Sequence, residues 1–175
     1  MSAAAPAAKG KAPPPAAATD SFKFKHTPED AEGRIVELIP GSIQTDFGDA
    51  NWKSRLAALE ELTTWLEDGV VDDVDSELVV RFLMKKGASE KNFQVSAKLY
   101  GALQLLAERS PTFGRPSAAL TIGHMVEKLG DMKLKKPAGD ALIVFAEKTS
   151  LNFVLGQGAA DQRRLGVLDL KPCRL

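Results

Sequence analysis

The residues able to do covalent or metal chemistry are few. The chain of 175 residues holds two histidines, His26 and His124, and one cysteine, Cys173. One thiol and two distant imidazoles do not make up a zinc site. Cys173 lies near the end with no base close in sequence, and His124 sits beside Met125 inside a helical pattern, as a packed or half-exposed helix residue would. No glycine-rich phosphate loop, pair of metal ligands or nucleophile elbow is present, so the chain reads as a non-enzyme that needs no cofactor. What remains is recognition chemistry. Trp52 stands in GDANWKSR beside a turn, followed by Lys53 and Arg55; Lys85, Lys86 and Lys91 flank a second turn; Lys133, Lys135 and Lys136 sit in a third. Trp52 has two readings at this level. It is a staple buried against the preceding helix, or an exposed interface anchor of the kind aromatics make.

The elements that must position these residues are helical. Thr27-Pro28-Glu29-Asp30 offers a capping hydroxyl, a proline at the first helical position and acids in the first turn. Ile35, Leu38 and Ile39 form that helix's apolar face. Pro40-Gly41 interrupts it, and a second short helix runs to Gly48. In NWKSRLAALEELTTWLED, Leu56, Leu59, Leu62 and Leu66 recur at spacings of 3 and 4, the mark of an amphipathic helix, with Trp65 on the core side. Further helices are predicted over 76–86 (capped by Ser76), 90–109, 116–129 and 136–149. Ser110-Pro111 stops the second of these. No hairpin signal separates alternating apolar runs, so the fold class is all-α.

These helices pair, and the pairs repeat. Gly48, Gly87 and Gly130 each end the first helix of a pair, at spacings of 39 and 43; Asn51-Trp52 recurs as Asn92-Phe93 after 41 residues. A helix-pair period near ~40 residues is that of HEAT or armadillo repeats. The expected architecture is a HEAT-repeat α-solenoid of about three helix pairs, with an irregular bundle as the alternative. The expected organisation is a disordered Ala/Pro/Lys-rich linker over 1–27, the repeat domain over 28–155 and an irregular tail over 156–175. Phe22-Lys23-Phe24-Lys25 reads as a lead-in that docks one aromatic.

The net charge is zero, yet the charges are segregated: residues 1–28 carry +3, 151–175 carry +2 and the core between carries −5. The turns within successive pairs of a solenoid line one edge. The lysines named above therefore predict a basic edge, and the acids between Glu60 and Glu77 a more acidic opposite one. A basic edge steers an acidic partner; as isolated loop residues, the same lysines would merely be solvated. Nucleic acid is disfavoured as a partner by the zero net charge and the single aromatic among the lysines. No stretch approaches the ~18 apolar residues of a spanning helix, the Ala-rich start lacks the form of a secretory signal, and the lone cysteine suits a reducing compartment.

GDANWKSRLAALEELTTWLED resembles the first HEAT repeat of a TOG domain, from the ch-TOG or cytoskeleton-associated family of microtubule polymerases. KNFQVSAKLYGALQLLAERS and LGDMKLKKPAGDALIVFAEKT resemble the second and third repeats, so the likeness spans roughly residues 28–155. The resemblance implies a paddle of repeats that binds αβ-tubulin through its intra-repeat loops. Trp52 then faces β-tubulin, with Lys53 beside it, Lys91 and Asn92 in the second loop, and Lys133, Lys135 and Lys136 in the third. It implies microtubule plus ends and spindle or centrosome proteins as partners, and a cytoplasmic, cytoskeletal location. The alternatives are a generic HEAT scaffold for another protein, or an inactive truncated fragment. The likeness stops at the third repeat, whereas a full TOG domain has more; the loops that would reach α-tubulin are not represented. The last pair should then expose an apolar face, for which Val154, Leu165, Val167, Leu168 and Leu170 are the candidate cover. The expected consequence is marginal stability, self-association or weak tubulin binding.

Overall fold

The computed structural model describes residues 21–164. They form eight α-helices and one 3-10 turn: α1 Pro28–Leu38, α2 Gly41–Gly48, α3 Trp52–Glu67, the turn Val70–Asp72, α4 Ser76–Gly87, α5 Phe93–Arg109, α6 Arg115–Lys128, α7 Lys135–Lys148 and α8 Leu151–Arg164. No strand occurs among the described residues.

Local chemistry sets the helix boundaries. Thr27 Oγ1 accepts from the Asp30 N–H at the start of α1, with Pro28 in the first turn. Asn51, Asp75 and Asn92 cap α3, α4 and α5 through their side-chain oxygens. The cap of α4 is thus Asp75 rather than Ser76. Ser76 is instead buried, its hydroxyl 3.0 Å from Ser117 Oγ on α6. Between α3 and α4 the chain reverses at Gly69, whose φ of +100° is a conformation side chains rarely adopt.

The helices stack in two layers. α3, α5 and α7 pack side by side in one; α4, α6 and α8 do so in the other. α2 pairs with α3, α4 with α5 and α6 with α7. Phe47 of α2 meets Phe82 of α4, the ring centroids 5.3 Å apart, and α1 packs on α4. The expected three pairs are present, flanked by α1 and α8. One continuous core runs through the stack: Leu59, Leu62 and Leu66 of α3, Leu99, Leu103 and Leu106 of α5, and Ala138, Ala141 and Phe145 of α7 are all buried. Trp65 and Trp52 are half-buried against this core.

Two expected boundaries move. The lead-in over residues 21–27 is ordered on the domain instead of belonging to a disordered linker. The buried Glu77 carboxylate, 2% exposed, accepts from the backbone N–H groups of Lys25 at 2.8 Å and His26 at 3.4 Å, while Arg81 bonds both Glu77 and the His26 carbonyl. Backbone donors thus satisfy a carboxylate that burial would otherwise penalise. Phe22 stacks edge-on against Phe153, 5.6 Å away, as expected of a docked aromatic. At the other end, α8 continues to Arg164, so residues 156–164 are helical instead of an irregular tail. Gly158 allows α8 to lie close to α6: a Cβ there would be 3.1 Å from Val126. Residues 1–20 of the expected linker, and Leu165, Val167, Leu168, Leu170 and Cys173, lie outside the described residues.

Leu103 is fully buried in the central helix of the stack. We expect Leu103→Ala to destabilise the fold by about 2–5 kcal/mol. Urea unfolding should show this as a lower midpoint with an unchanged slope.

Candidate functional site

The three turns inside the helix pairs come together along one edge. They are 49–51 between α2 and α3, 88–92 between α4 and α5, and 129–134 between α6 and α7. Arg55, one turn into α3, knits the first two. Its Nε and Nη2 donate to the two carboxylate oxygens of Glu90 at 2.7 and 3.0 Å, and its Nη1 donates to the carbonyls of Asp49 and Ala50 at 2.9 and 2.8 Å. Glu90 also accepts from the backbone N–H groups of Lys91 and Asn92. Lys86 Nζ reaches across to the Gly48 carbonyl at 2.7 Å. The third turn joins through Lys133, whose Nζ lies 4.3 Å from the ring centre of Phe93 at the start of α5. The opposite edge is tied separately: Thr112 Oγ1 donates to the Val74 carbonyl and accepts from the Ser76 N–H.

The expected site residues divide by what they are free to do. Trp52 is half-buried at the first position of α3, with part of the indole on the core and part open, and Lys53 Nζ 5.9 Å from its ring. It therefore combines the two readings, staple and exposed surface. Lys53, Lys91, Lys133 and Lys135 are exposed on this edge. Lys136 is exposed but paired with Asp140 at 2.7 Å. Asn92 is committed to structure, since its side-chain oxygen caps α5 by accepting from the Gln94 and Val95 N–H groups. Acids on this edge are largely absorbed locally. Asp49 and Asp131 accept from the backbone N–H groups of Asn51 and Lys133, and Glu90 is held by Arg55.

Three residues of this edge lie beyond the contacts that the sequence suggests. Phe93 is 43% exposed and Met132 97% exposed, so the edge carries apolar surface beyond Trp52. Arg55 is the residue that registers the first loop against the second. The signal for Phe93 lies in the repeat itself, because Asn92-Phe93 occupies the place of Asn51-Trp52. Nothing local could pair Arg55 with Glu90, which is 35 residues away.

Among the described residues no group of three or more His, Cys, Asp or Glu is placed to hold a metal ion. His124 Nε2 lies 3.0 Å from the Tyr100 hydroxyl. Burial, helped by Lys128, pulls the His124 imidazole below its ordinary pKa, and burial pushes the Tyr100 phenol up, so both stay neutral. They form a packed polar pair between α5 and α6.

Burial alone would raise the Glu90 carboxyl, but the Arg55 guanidinium and the Asn92 and Lys91 N–H groups outweigh it and hold the group below its ordinary value. A depressed carboxylate contributes stability above its unfolded pKa and loses it as pH falls through the folded one. We expect Glu90→Gln to cost about 1–3 kcal/mol near neutral pH. The difference from the parent chain should shrink as pH falls through and below the ordinary glutamate range, as read by denaturant melts at several pH values.

No family model matches the chain. It is 34% identical over 139 residues to Protein mini spindles of Drosophila melanogaster, covering 75% of this chain. It is 27% identical over 127 residues to Protein MOR1 of Oryza sativa subsp. japonica, covering 72% of this chain, and 26% identical over 114 residues to Centrosomal protein 224 of Dictyostelium discoideum, covering 63%. The chain spans 6% of the length of each of these relatives. Among solved structures, Drosophila melanogaster Mini spindles TOG3 matches with a TM-score of 0.61 and 32% identity, over 72% of this chain and 56% of that chain. The layered helix pairs, the shared loop edge and these likenesses agree: the chain is homologous to the TOG-domain proteins Mini spindles and MOR1, and its fold is the HEAT-repeat solenoid of a TOG domain.

Proposed function

We propose that this chain binds αβ-tubulin without catalysis, through the edge formed by its intra-repeat loops, and acts in the regulation of microtubule growth. The observation that carries this reading is the joined edge. Three loops remote in sequence are held in one row by Arg55–Glu90 and Lys133–Phe93, and they present Trp52 with the exposed cations Lys53, Lys91, Lys133 and Lys135. In the resembled family, a loop tryptophan and loop cations meet tubulin, an acidic protein. A half-exposed indole flanked by lysines suits such a surface, since the ring supplies desolvated contact and the charges supply steering. The names Mini spindles and Centrosomal protein 224 point toward the spindle and the centrosome, and we place this chain on that cytoskeletal machinery.

The contribution of each residue follows from its setting. Trp52 is the anchor, pre-positioned because α3 begins at that residue and the Asn51 cap holds the turn. Lys91, Lys133 and Lys135 supply orientation and on-rate. Asn92 serves indirectly, by fixing the start of α5. Because exposed lysines carry much of the contact, binding should be salt-sensitive.

The test is size-exclusion chromatography of the chain with unpolymerised αβ-tubulin at low salt. Co-elution is expected. Trp52→Ala should weaken it by at least ~2 kcal/mol, roughly 30-fold, as loss of an anchor residue does. Lys91→Glu with Lys135→Glu, two exposed lysines to which no structural role falls, should weaken it and flatten its salt dependence while leaving the melting temperature near that of the parent. Failure of the folded parent chain to co-elute would overturn the tubulin reading.

A further inference from the structure

At the α8 end of the stack, α6, α7 and α8 enclose an open apolar groove of about 690 Å³, lined by Val126, Leu142, Ile143, Leu151, Val154 and Leu155, with Glu147 as the charge at its rim. Ile143, Leu151 and Leu155 are each 61% exposed there. The stacking explains its shape. α5 packs beside α3 and α7 beside α5, so the next place in that layer lies against α7 and α8, and this groove is that place. Three large aliphatic side chains left side by side in water are unusual on the flank of a folded domain.

We propose that the segment beginning at Leu165 docks in this groove and caps the solenoid, independently of the tubulin reading. Three observations favour this occupant. The first is covalent continuity: Leu165 directly follows Arg164, the last residue of α8, whose first turns line the groove. Tethering gives such a segment a local concentration that a free partner lacks. The second is composition. Leu165, Val167, Leu168 and Leu170 place four aliphatic side chains within six residues, and Lys171 follows with the sign to meet Glu147. The third is reach. Residues 165–175 number 11 and extend at most about 36–40 Å, against about 21 Å for the 14-residue α8, so the segment can turn and run back along the groove. A second copy is a poorer fit. Away from the groove, the exposed large apolar residues among those described are Phe24 and Val36, on separate elements, and Phe93 and Met132, which stand among the lysines of the loop edge rather than in an apolar face.

Cys173 is the one cysteine in the sequence, so a nitroxide can be attached there without engineering. In the full chain with labelled methyl groups, the probe should broaden Ile143, Leu155 and Val126 and leave Ile43 of α2 sharp. Leu165→Asp with Leu168→Asp should restore the groove signals, shift them, and lower Tm by roughly 2–4 °C, about what loss of a small apolar contact causes in a domain of this size. Sharp groove methyls in the labelled parent chain, or groove signals and Tm indifferent to the double substitution, would overturn the proposal. So would broadening that appears only between molecules, in a mixture of spin-labelled chain and methyl-labelled Cys173→Ser chain, because the occupant would then be a second copy.

Discussion

No helix pair in this chain can bury its own apolar face, and every larger feature follows from that. α3 presents Leu59, Leu62 and Leu66; α5 presents Leu99, Leu103 and Leu106; each helix is covered only because its neighbours lie against it. Burying a leucine is worth about 1.5–3 kcal/mol, and the contribution is realised only between adjacent units. Stacking therefore sets the two layers, the direction of growth and the separation of the two edges. The same rule leaves the two ends in need of cover. At the start, α1 and the lead-in cover α4, with Glu77 gathering the backbone of Lys25 and His26. At the other end, α8 extends the layer but leaves the next place beside α7 open.

The loop edge is a by-product of stacking that has acquired its own bonding. Stacking alone would bring the three turns near one another; Arg55, Lys86 and Lys133 lock them in register. An arginine suits the central position, since its planar fork satisfies both oxygens of Glu90 and two loop carbonyls at once. This explains how an edge rich in loops can be stiff enough to present Trp52, Lys91 and Lys133 in a fixed arrangement. Preorganisation of that kind reduces the ordering cost of binding. The acids on the edge shape the turns: Asp49, Asp131 and Glu90 accept from backbone N–H groups of the loops they stand in.

Much of this is legible in the amino-acid sequence. Helix positions follow from 3.6-residue periodicity, and the cap of α1 from Thr27, because both depend on neighbours within a few residues. The pairing of helices and the shared edge follow from the ~40-residue recurrence of glycine and Asn-aromatic signals, since a repeated unit must repeat its contacts. What escapes such a reading is long-range or marginal. The order of residues 21–27 depends on Glu77, about fifty positions away. The full length of α8 is hidden because its glycines and mixed polarity give a weak local signal, whereas its contacts with α6 and α7 hold it. Asp75 rather than Ser76 caps α4 because tertiary packing claims the serine for Ser117.

For the site, the sequence by itself determined which residue types stand in the loops: a tryptophan, lysines and a repeat-equivalent phenylalanine. Those are local facts of composition and spacing. Only the tertiary structure decided how each is used. It half-buries Trp52 on the core, commits Asn92 to a cap and Lys136 to Asp140, leaves Met132 in solvent, and makes Arg55 the link between loops. Those roles rest on which atoms lie within a few ångströms after folding, and a chain that must stack to bury its core settles that only when its distant repeats meet.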